Sequence, residues 1–457
     1  MRTVVVFCLC LSLPAFAQNL RPKIDAGESA AENGILNQEN AERQLGLAQL
    51  IQKGLKYSPQ IQKAESEMKI SKAEFSQTES AIFPTVSARA SAKNRKLTLS
   101  SFGQSSGAVR QNLYEASLEA SQPLYVGGAI TSGLARAKLG RESAEQSYFI
   151  QKQNFLSELI STYLDHSENE EKLRQAQINR DFLANYAKIA KNYASIGRTK
   201  SIDRLQAEAN LASSESTILE YESNLEISKS KLLKLIGFED RTQDVSVVTK
   251  MELQPIEKMK LKESLEKALA GNPELKKAEI EVRKQKYDND LDLTTDRPRL
   301  TLDGSYGYTS PNREDWFQED RNNYTVGVSL TVPLFSGLSS LAKKRAHSEK
   351  LYQKEKDLAL VQDEIRRSIA TAIQVLDHDF QRIKSLKTAV ELGRKAMDSA
   401  LKDYRRGLVS STDVVQIQNN RFQSEVKLVQ ASVSYMKQVL SLRKDLGIDL
   451  ESAYLKE

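Results

Sequence analysis

The sequence predicts a mainly α-helical chain with a smaller β component, in which long coiled-coil helices continue from β-hairpins and the whole unit is duplicated. Three observations lead to this class. Pro59 and Pro84 return as Pro273 and Pro298 at an offset of 214 residues, and Pro123, Gly197 and Gly237 return as Pro333, Gly407 and Gly447 at an offset of 210. Because Pro and Gly mark helix starts, strand ends and tight turns, equal spacing means equal element lengths. Two proline-free stretches, 127–195 and 337–405, carry apolar residues in a seven-residue rhythm. Between the proline pairs the apolar period falls from 3.6 to 2, which separates helix from strand.

Taken in order, the chain opens with Arg2, an apolar stretch from Val4 to Leu13 and Ala15-Phe16-Ala17 before Gln18, the layout of a secretory signal over 1–17. Both cysteines, Cys8 and Cys10, lie inside it. The mature chain is thus expected to have no thiol for a disulfide, a metal site or nucleophilic catalysis, and no lipid anchor, since Gln18 stands at the cleavage point. Residues 18–44 form a polar extension, 45–237 and 261–447 the two repeats, 238–260 a polar connector and 448–457 a C-terminal tail. The extension and connector are weakly patterned and read either as a belt around the helices or as disorder.

Each repeat begins with a short amphipathic helix, carrying Leu47, Leu50, Ile51 and Leu55 in one copy and Leu261, Leu265, Ala268 and Leu269 in the other. It stops at Pro59 or Pro273. A second helix of about twenty residues follows and ends before Pro84 or Pro298, where the fixed φ and missing amide hydrogen break the pattern. Strands come next. Leu300, Leu302, Gly304, Tyr306 and Tyr308 alternate with Thr301, Asp303, Ser305 and Gly307, and Tyr324, Val326, Val328, Leu330 and Val332 alternate with Thr325, Gly327, Ser329 and Thr331. In the first copy Val86, Ala88, Ala90 and Ala92 oppose Thr85, Ser87, Arg89 and Ser91, and Tyr114, Ala116, Leu118 and Ala120 oppose Glu115, Ser117, Glu119 and Ser121. Polar loops are expected over 93–112 and 310–323.

Such alternation is also what an ordinary half-buried sheet shows. The charged face tilts the reading, because no separate apolar helix is available to cover the opposite one; a lipid-facing barrel with a wet lumen accounts for both. Beyond the signal no apolar run reaches the ~18 to 20 residues of a membrane helix, so membrane contact falls to strands or to nothing. Four strands per chain cannot close a barrel, and open edges do not stand in lipid. Several chains must pool them, and three would give twelve.

The long helices that follow contain rows such as Leu351, Leu358, Ile365 and Ala372, interleaved with Val361, Ile369, Leu376, Phe380 and Ile383. At 1.5 Å per residue each is roughly 100 Å long. Heptads with charged flanks make coiled coils. Glycine turns at Gly197 and Gly407 reverse each one into a helix of about 35 residues, ending at Gly237 or Gly447. The net charge of +6 arises from 66 basic and 60 acidic residues spread along the chain, which describes solvated helix faces and argues against a nucleic-acid partner.

Gln122-Pro123-Leu124-Tyr125-Val126-Gly127-Gly128 and Val332-Pro333-Leu334-Phe335-Ser336-Gly337 resemble the strand-to-helix junction of the TolC-like outer-membrane factor family, and Gly407-Leu408-Val409-Ser410-Ser411-Thr412-Asp413-Val414 resembles its helical-hairpin tip. The likeness covers nearly all of the mature chain. It implies a homotrimer in which an outer-membrane β-barrel, four strands from each chain, is continuous with a helical barrel in the periplasm. It further implies passive conduction as the exit duct of an efflux pump or type I secretion system, with a periplasmic adaptor, an inner-membrane transporter and outer-membrane lipid as partners.

In that family the inner end is closed at rest by side-chain pairs and an acidic ring, and adaptors dock between the tips. Asp203 and Asp413 match the Asp after the glycine turn; an Asp there also stabilises a helix start through the dipole. The second acidic position, one turn on, is Gln416, which stands with Asp203 and Asp413 as a candidate for the pore or tip gate, and Val409 stands where some members carry a locking arginine, so this sequence departs from the doubled ring and from that lock. Gly197, Arg198, Gly407, Leu408 and Val409 are the expected turns and adaptor groove, with Leu408 and Val409 apolar at an exposed bend. Arg198, Lys200, Arg405 and Arg406 offer replacement pairs or plain solvated charges.

No catalytic residue, metal site or cofactor is expected. His166, His347 and His378 are the only histidines and none has ligand spacing; His166 and His378 are expected on solvated helix faces. The rival class is a non-conducting coiled-coil scaffold of the envelope, which would have no reason to keep a polar face on its strands.

Overall fold

The computed structural model describes residues 43–101, 104–197, 199–237, 245–247, 260–315 and 317–455. The signal stretch, nearly all of the polar extension, most of the connector and Arg198 lie outside them. In chain order the elements are β1 (Arg43–Leu45), α1 (Leu47–Tyr57), α2 (Pro59–Glu79), β2 (Thr85–Ser101), β3 (Gln104–Val126), α3 (Ala129–Ser195), α4 (Ser201–Leu235) and β4 (Val245–Val247). Then come α5 (Leu261–Gly271), α6 (Pro273–Leu293), β5 (Arg299–Ser310), β6 (Asn322–Thr331), α7 (Ser339–Arg406), α8 (Ser411–Asp445) and α9 (Leu450–Leu455). The helices of the two halves run 11, 21, 67 and 35 residues against 11, 21, 68 and 35.

Matched lengths rest on matched local chemistry. Pro59 and Pro273 each open their helix at the position where a backbone N–H would be unpaired anyway. The Asn272 carboxamide oxygen accepts from the Glu274 and Leu275 amides and caps α6. Gly237, Gly407 and Gly447 end α4, α7 and α8 with φ between 72° and 79°, the left-handed value that satisfies the last carbonyls without a Cβ penalty.

Two apolar clusters hold the middle of the molecule. Leu50, Ile51, Phe155, Leu159, Ile160 and Leu232 of the first half pack together with Leu450, and Ala268, Leu275, Ile365, Ile369, Tyr435 and Leu442 of the second half form the other cluster. Phe155 and Leu159 correspond by offset to Ile365 and Ile369, and their partner Gly54 corresponds to Ala268. A Cβ on Gly54 would stand 3.0 Å from the Phe155 ring; the smaller Ile365 leaves room for Ala268, so the two cores conserve volume. The segment read as a tail contains α9, whose Leu450 is fully buried in the first cluster.

Four strands form one antiparallel sheet in the order β2-β3-β5-β6, and β1 pairs parallel with β4. The expected loop over 93–112 is instead largely strand: β2 and β3 stay paired out to Ser101 opposite Gln104, with a register shift between Thr98 and Ser100. The stretch Lys93-Asn94-Arg95-Lys96 is polar at successive positions, so the start of this extension offered no apolar alternation to read.

Candidate functional site

The sheet register settles which side chains share a face. Ser87 lies opposite Glu119, Glu119 opposite Ser305 and Ser305 opposite Thr325; one row along, Val86, Ala120, Gly304 and Val326 line up on the other face. The polar positions of four strands thus form one continuous surface. Arg89 pairs with Glu119 at 3.7 Å and Lys93 with Glu115 at 2.9 Å across it, and Asp303 accepts from Ser121 and Thr301. The opposite face leaves Val86, Leu118, Tyr306, Tyr324, Val326, Val328 and Leu330 exposed. Strands β2 and β6 are the open edges of the sheet. Among the described residues no helix is long and apolar enough to cross a membrane.

The strand-to-helix junctions are built on glycine. Gly127 and Gly128 have φ of 64° and 89°, and Gly337 has 64°. The residue corresponding to Gly128 is Leu338, whose φ of 63° is the left-handed conformation a side chain disfavours. Pro123 and Pro333 precede these turns, and at Pro123 the β3–β5 register shifts. Arg297 donates from Nη1 to the Gly127 carbonyl at 2.9 Å.

At the far end the α3–α4 and α7–α8 hairpins meet in an aromatic cluster. Tyr186 is buried, stacks on Phe182 with ring centroids 6.2 Å apart and lies 5.6 Å from the Tyr404 ring. Its hydroxyl donates to Ser411 Oγ at 2.5 Å, with the Ser411 carbonyl oxygen 3.2 Å away, which ties the first hairpin to the start of α8. Burial pushes the Tyr186 phenol well above its usual range. Further along the same seam the Gln418 amide donates to Asn179 at 2.8 Å and Lys437 bonds Asp165 at 2.5 Å.

The expected tip residues separate in this geometry. Asp413 accepts from the Ser410 hydroxyl at 2.6 Å and from the Ser410 amide, while the Asp413 amide donates back to Ser410 Oγ; this reciprocal capping box starts α8. Asp203 accepts from the Thr199 hydroxyl at 2.5 Å in the first turn of α4. One oxygen of each carboxylate is thereby engaged in its own turn. Gln416 bonds Asn420 on the exposed side of α8. Leu408 is 73% exposed just past Gly407, whereas Val409 packs against the aromatic cluster. Gly197 sits in the other tip turn with φ 70°; Arg198 lies outside the described residues. Arg406 is 3.9 Å from Asp403, both well exposed.

Sequence reasoning missed Tyr186 and Ser411. Tyr186 and Tyr193 are seven residues apart, hence on one helix face, and that spacing was the available signal. The expectation that His166 is solvated is corrected: it is buried, with Nδ1 3.0 Å from Ser228 Oγ, because this face of α3 packs on α4, which brings the hydroxyl to that nitrogen. His347 is also buried, with Nε2 3.2 Å from Asp292; His378 is exposed.

Proteins of similar sequence and fold are known. AprF, the alkaline protease secretion protein of Pseudomonas aeruginosa, is 20% identical over 342 residues, 73% of this chain and 70% of its own. The outer membrane protein TolC of Vibrio cholerae is 20% identical over 343 residues, 74% of this chain and 77% of its own. The solved CmeC outer membrane channel of Campylobacter jejuni superposes with a TM-score of 0.78 at 16% identity, over 90% of this chain and 88% of that one. The profile of the outer membrane efflux protein family matches residues 50–238 and 264–448. With both halves matched, the chain belongs to the outer membrane efflux protein family and has its place in the outer membrane.

Proposed function

We propose that the chain is one third of a passive exit duct. Three copies pool their strands into a twelve-stranded barrel, and their helical hairpins form a hollow cylinder in the periplasm that receives cargo from an inner-membrane transporter through an adaptor. The observation that carries this reading is the sheet: a polar face continuous over four strands, an exposed apolar face behind it and two open edges. Such a sheet is stable in lipid only when closed around water. The units 45–237 and 261–447 are two structural repeats of that wall. The duct needs no chemistry of its own, since a wide hydrated path lets the pump choose the cargo.

The hairpin ends act as the gate and docking region, with Asp203 and Asp413 near the aperture and Leu408 presented to the adaptor. A threefold ring of Asp413 gives a mild preference for cations. Purified protein in detergent should run as a heat-sensitive trimer and conduct in a planar bilayer. Asp413→Asn should lower the cation preference read from the reversal potential. A particle that assembles but never conducts would instead make the chain an envelope scaffold.

A further inference from the structure

The two repeats carry the same strand-to-helix joint, but only one joint is covered. Gly127 is buried, because the turn that follows α6 lies on it: a Cβ there would stand 2.6 Å from Arg297 Cβ and 3.0 Å from the Thr294 carbonyl oxygen. Gly337, its counterpart, is exposed and has nothing within 4 Å of an added Cβ. Neighbouring residues repeat the contrast. Leu124 and Tyr125 are 52% and 49% exposed, while the corresponding Leu334 and Phe335 are 93% and 82% exposed. On the covering side Thr294 is buried and its counterpart Ser80 exposed. The second joint is thus left open within one chain.

The counterpart of Arg297 is Phe83, immediately before Pro84, and it is 66% exposed. The counterpart of Gly128, which receives the Arg297 guanidinium, is Leu338, 71% exposed. Both members of the pair therefore differ between the repeats, glycine with arginine at one joint and leucine with phenylalanine at the other. We propose that a second copy of this chain completes the joint: its Phe83 seats on Gly337 and Leu338, so joints inside a chain are polar and joints between chains are apolar. The left-handed Leu338 has its reason here, since its side chain becomes the floor for that ring. The same equivalence sets the strand register between copies. The pairs Leu118–Tyr306 and Glu119–Ser305 inside the chain become Val328 opposite Ala92 and Ser329 opposite Ser91 of the next copy, which keeps polar with polar and apolar with apolar.

This inference rests on the assembly read above, and its test separates the two. Apart from Cys8 and Cys10 the chain has no cysteine, so Phe83→Cys/Leu338→Cys in outer-membrane fractions can be treated with a short bismaleimide. The expected result is a covalent ladder ending at three copies on a denaturing gel, with each single variant remaining monomeric. Monomer alone from a sample whose native mass is that of an oligomer overturns the joint and leaves the assembly reading standing; absence of any oligomer sinks both. The exchange of chemistries is a second arm. Phe83→Arg should lower the temperature at which the oligomer dissociates, and Phe83→Arg/Leu338→Gly, which reproduces the polar joint, should recover it. No loss in the first variant, or no recovery in the second, removes the proposal even if the cysteine pair fails to reach the membrane.

Discussion

The Tyr186 hydroxyl offers the most direct way to weigh the link between the two hairpins. Tyr186→Phe deletes one oxygen and leaves the ring, so the stack on Phe182 and the contact with Tyr404 survive. What is lost is the bond to Ser411 Oγ at 2.5 Å and the longer approach to the Ser411 carbonyl oxygen at 3.2 Å. Ser411 is only partly buried and can turn to water, and phenylalanine leaves no orphaned donor, so the change is close to the net value of one hydrogen bond, about 1 kcal/mol. If the bond exists only while the tips are drawn together, that energy multiplies the odds of the open state by about five. Single-channel recordings in a planar bilayer of the parent, Tyr186→Phe, Ser411→Ala and the double variant measure those odds. Each single change should raise them several-fold, and the double variant should add little beyond Tyr186→Phe, because both remove the same contact. Open odds in Tyr186→Phe equal to the parent's, or a double variant equal to the product of the singles, would refute the reasoning. Since burial keeps the phenol protonated above its ordinary range, a bath at about pH 9.5, below the ordinary tyrosine pKa of about 10, should not mimic the substitution.

Three further outcomes follow from the same structure. Gly127→Ala combines a φ of 64° with a Cβ placed 2.6 Å from Arg297, so it should cost more than the ~1 to 2 kcal/mol of left-handed strain alone, seen as reduced heat stability of the assembled protein. His166 is buried and its folded-state pKa is lowered, chiefly by desolvation; the unfolded chain binds that proton more readily, so the stability His166 contributes is complete above about pH 6.5 and declines as pH falls toward the lowered value. Melting temperatures followed from pH 7.5 down to about pH 5 should fall more steeply for the parent than for His166→Gln, and parallel curves would contradict this. Leu408→Ser, at an exposed position outside the aromatic cluster, should reduce crosslinking of the hairpin end to an adaptor without altering heat stability; unchanged crosslinking and export would remove Leu408 from the docking surface.

The division between what the sequence disclosed and what it withheld follows the range of the interactions. Helix lengths were legible because Pro59, Pro273, Gly407 and Gly447 act on their own turn, through a missing N–H or a tolerated positive φ. The faces of the sheet were legible strand by strand, since Ser87 and Val86 must point oppositely. Their alignment across strands was not, because nothing local to Glu119 says that Ser305 will lie beside it. The seam was less legible still. Asp165 and Lys437 are 272 residues apart, Asn179 and Gln418 239, Tyr186 and Ser411 225; in a chain with 66 basic and 60 acidic residues no pattern marks which charge finds which. His166 was misread for this reason, as its burial depends on Ser228 arriving from α4.

Duplication partly lifts that limit. Two copies of one unit supply an internal control: the same backbone turn carries Gly128 in one half and Leu338 in the other, both left-handed at φ 89° and 63°, so the sign of φ alone does not dictate glycine there. The difference must lie in what each turn faces. For Gly128 the facing group is Arg297 of the same chain. For Leu338 it must be a group that accepts an apolar side chain, and the one residue placed by offset to meet it is Phe83. A repeated sequence therefore carries information about contacts beyond its own chain, held in the positions at which its halves disagree.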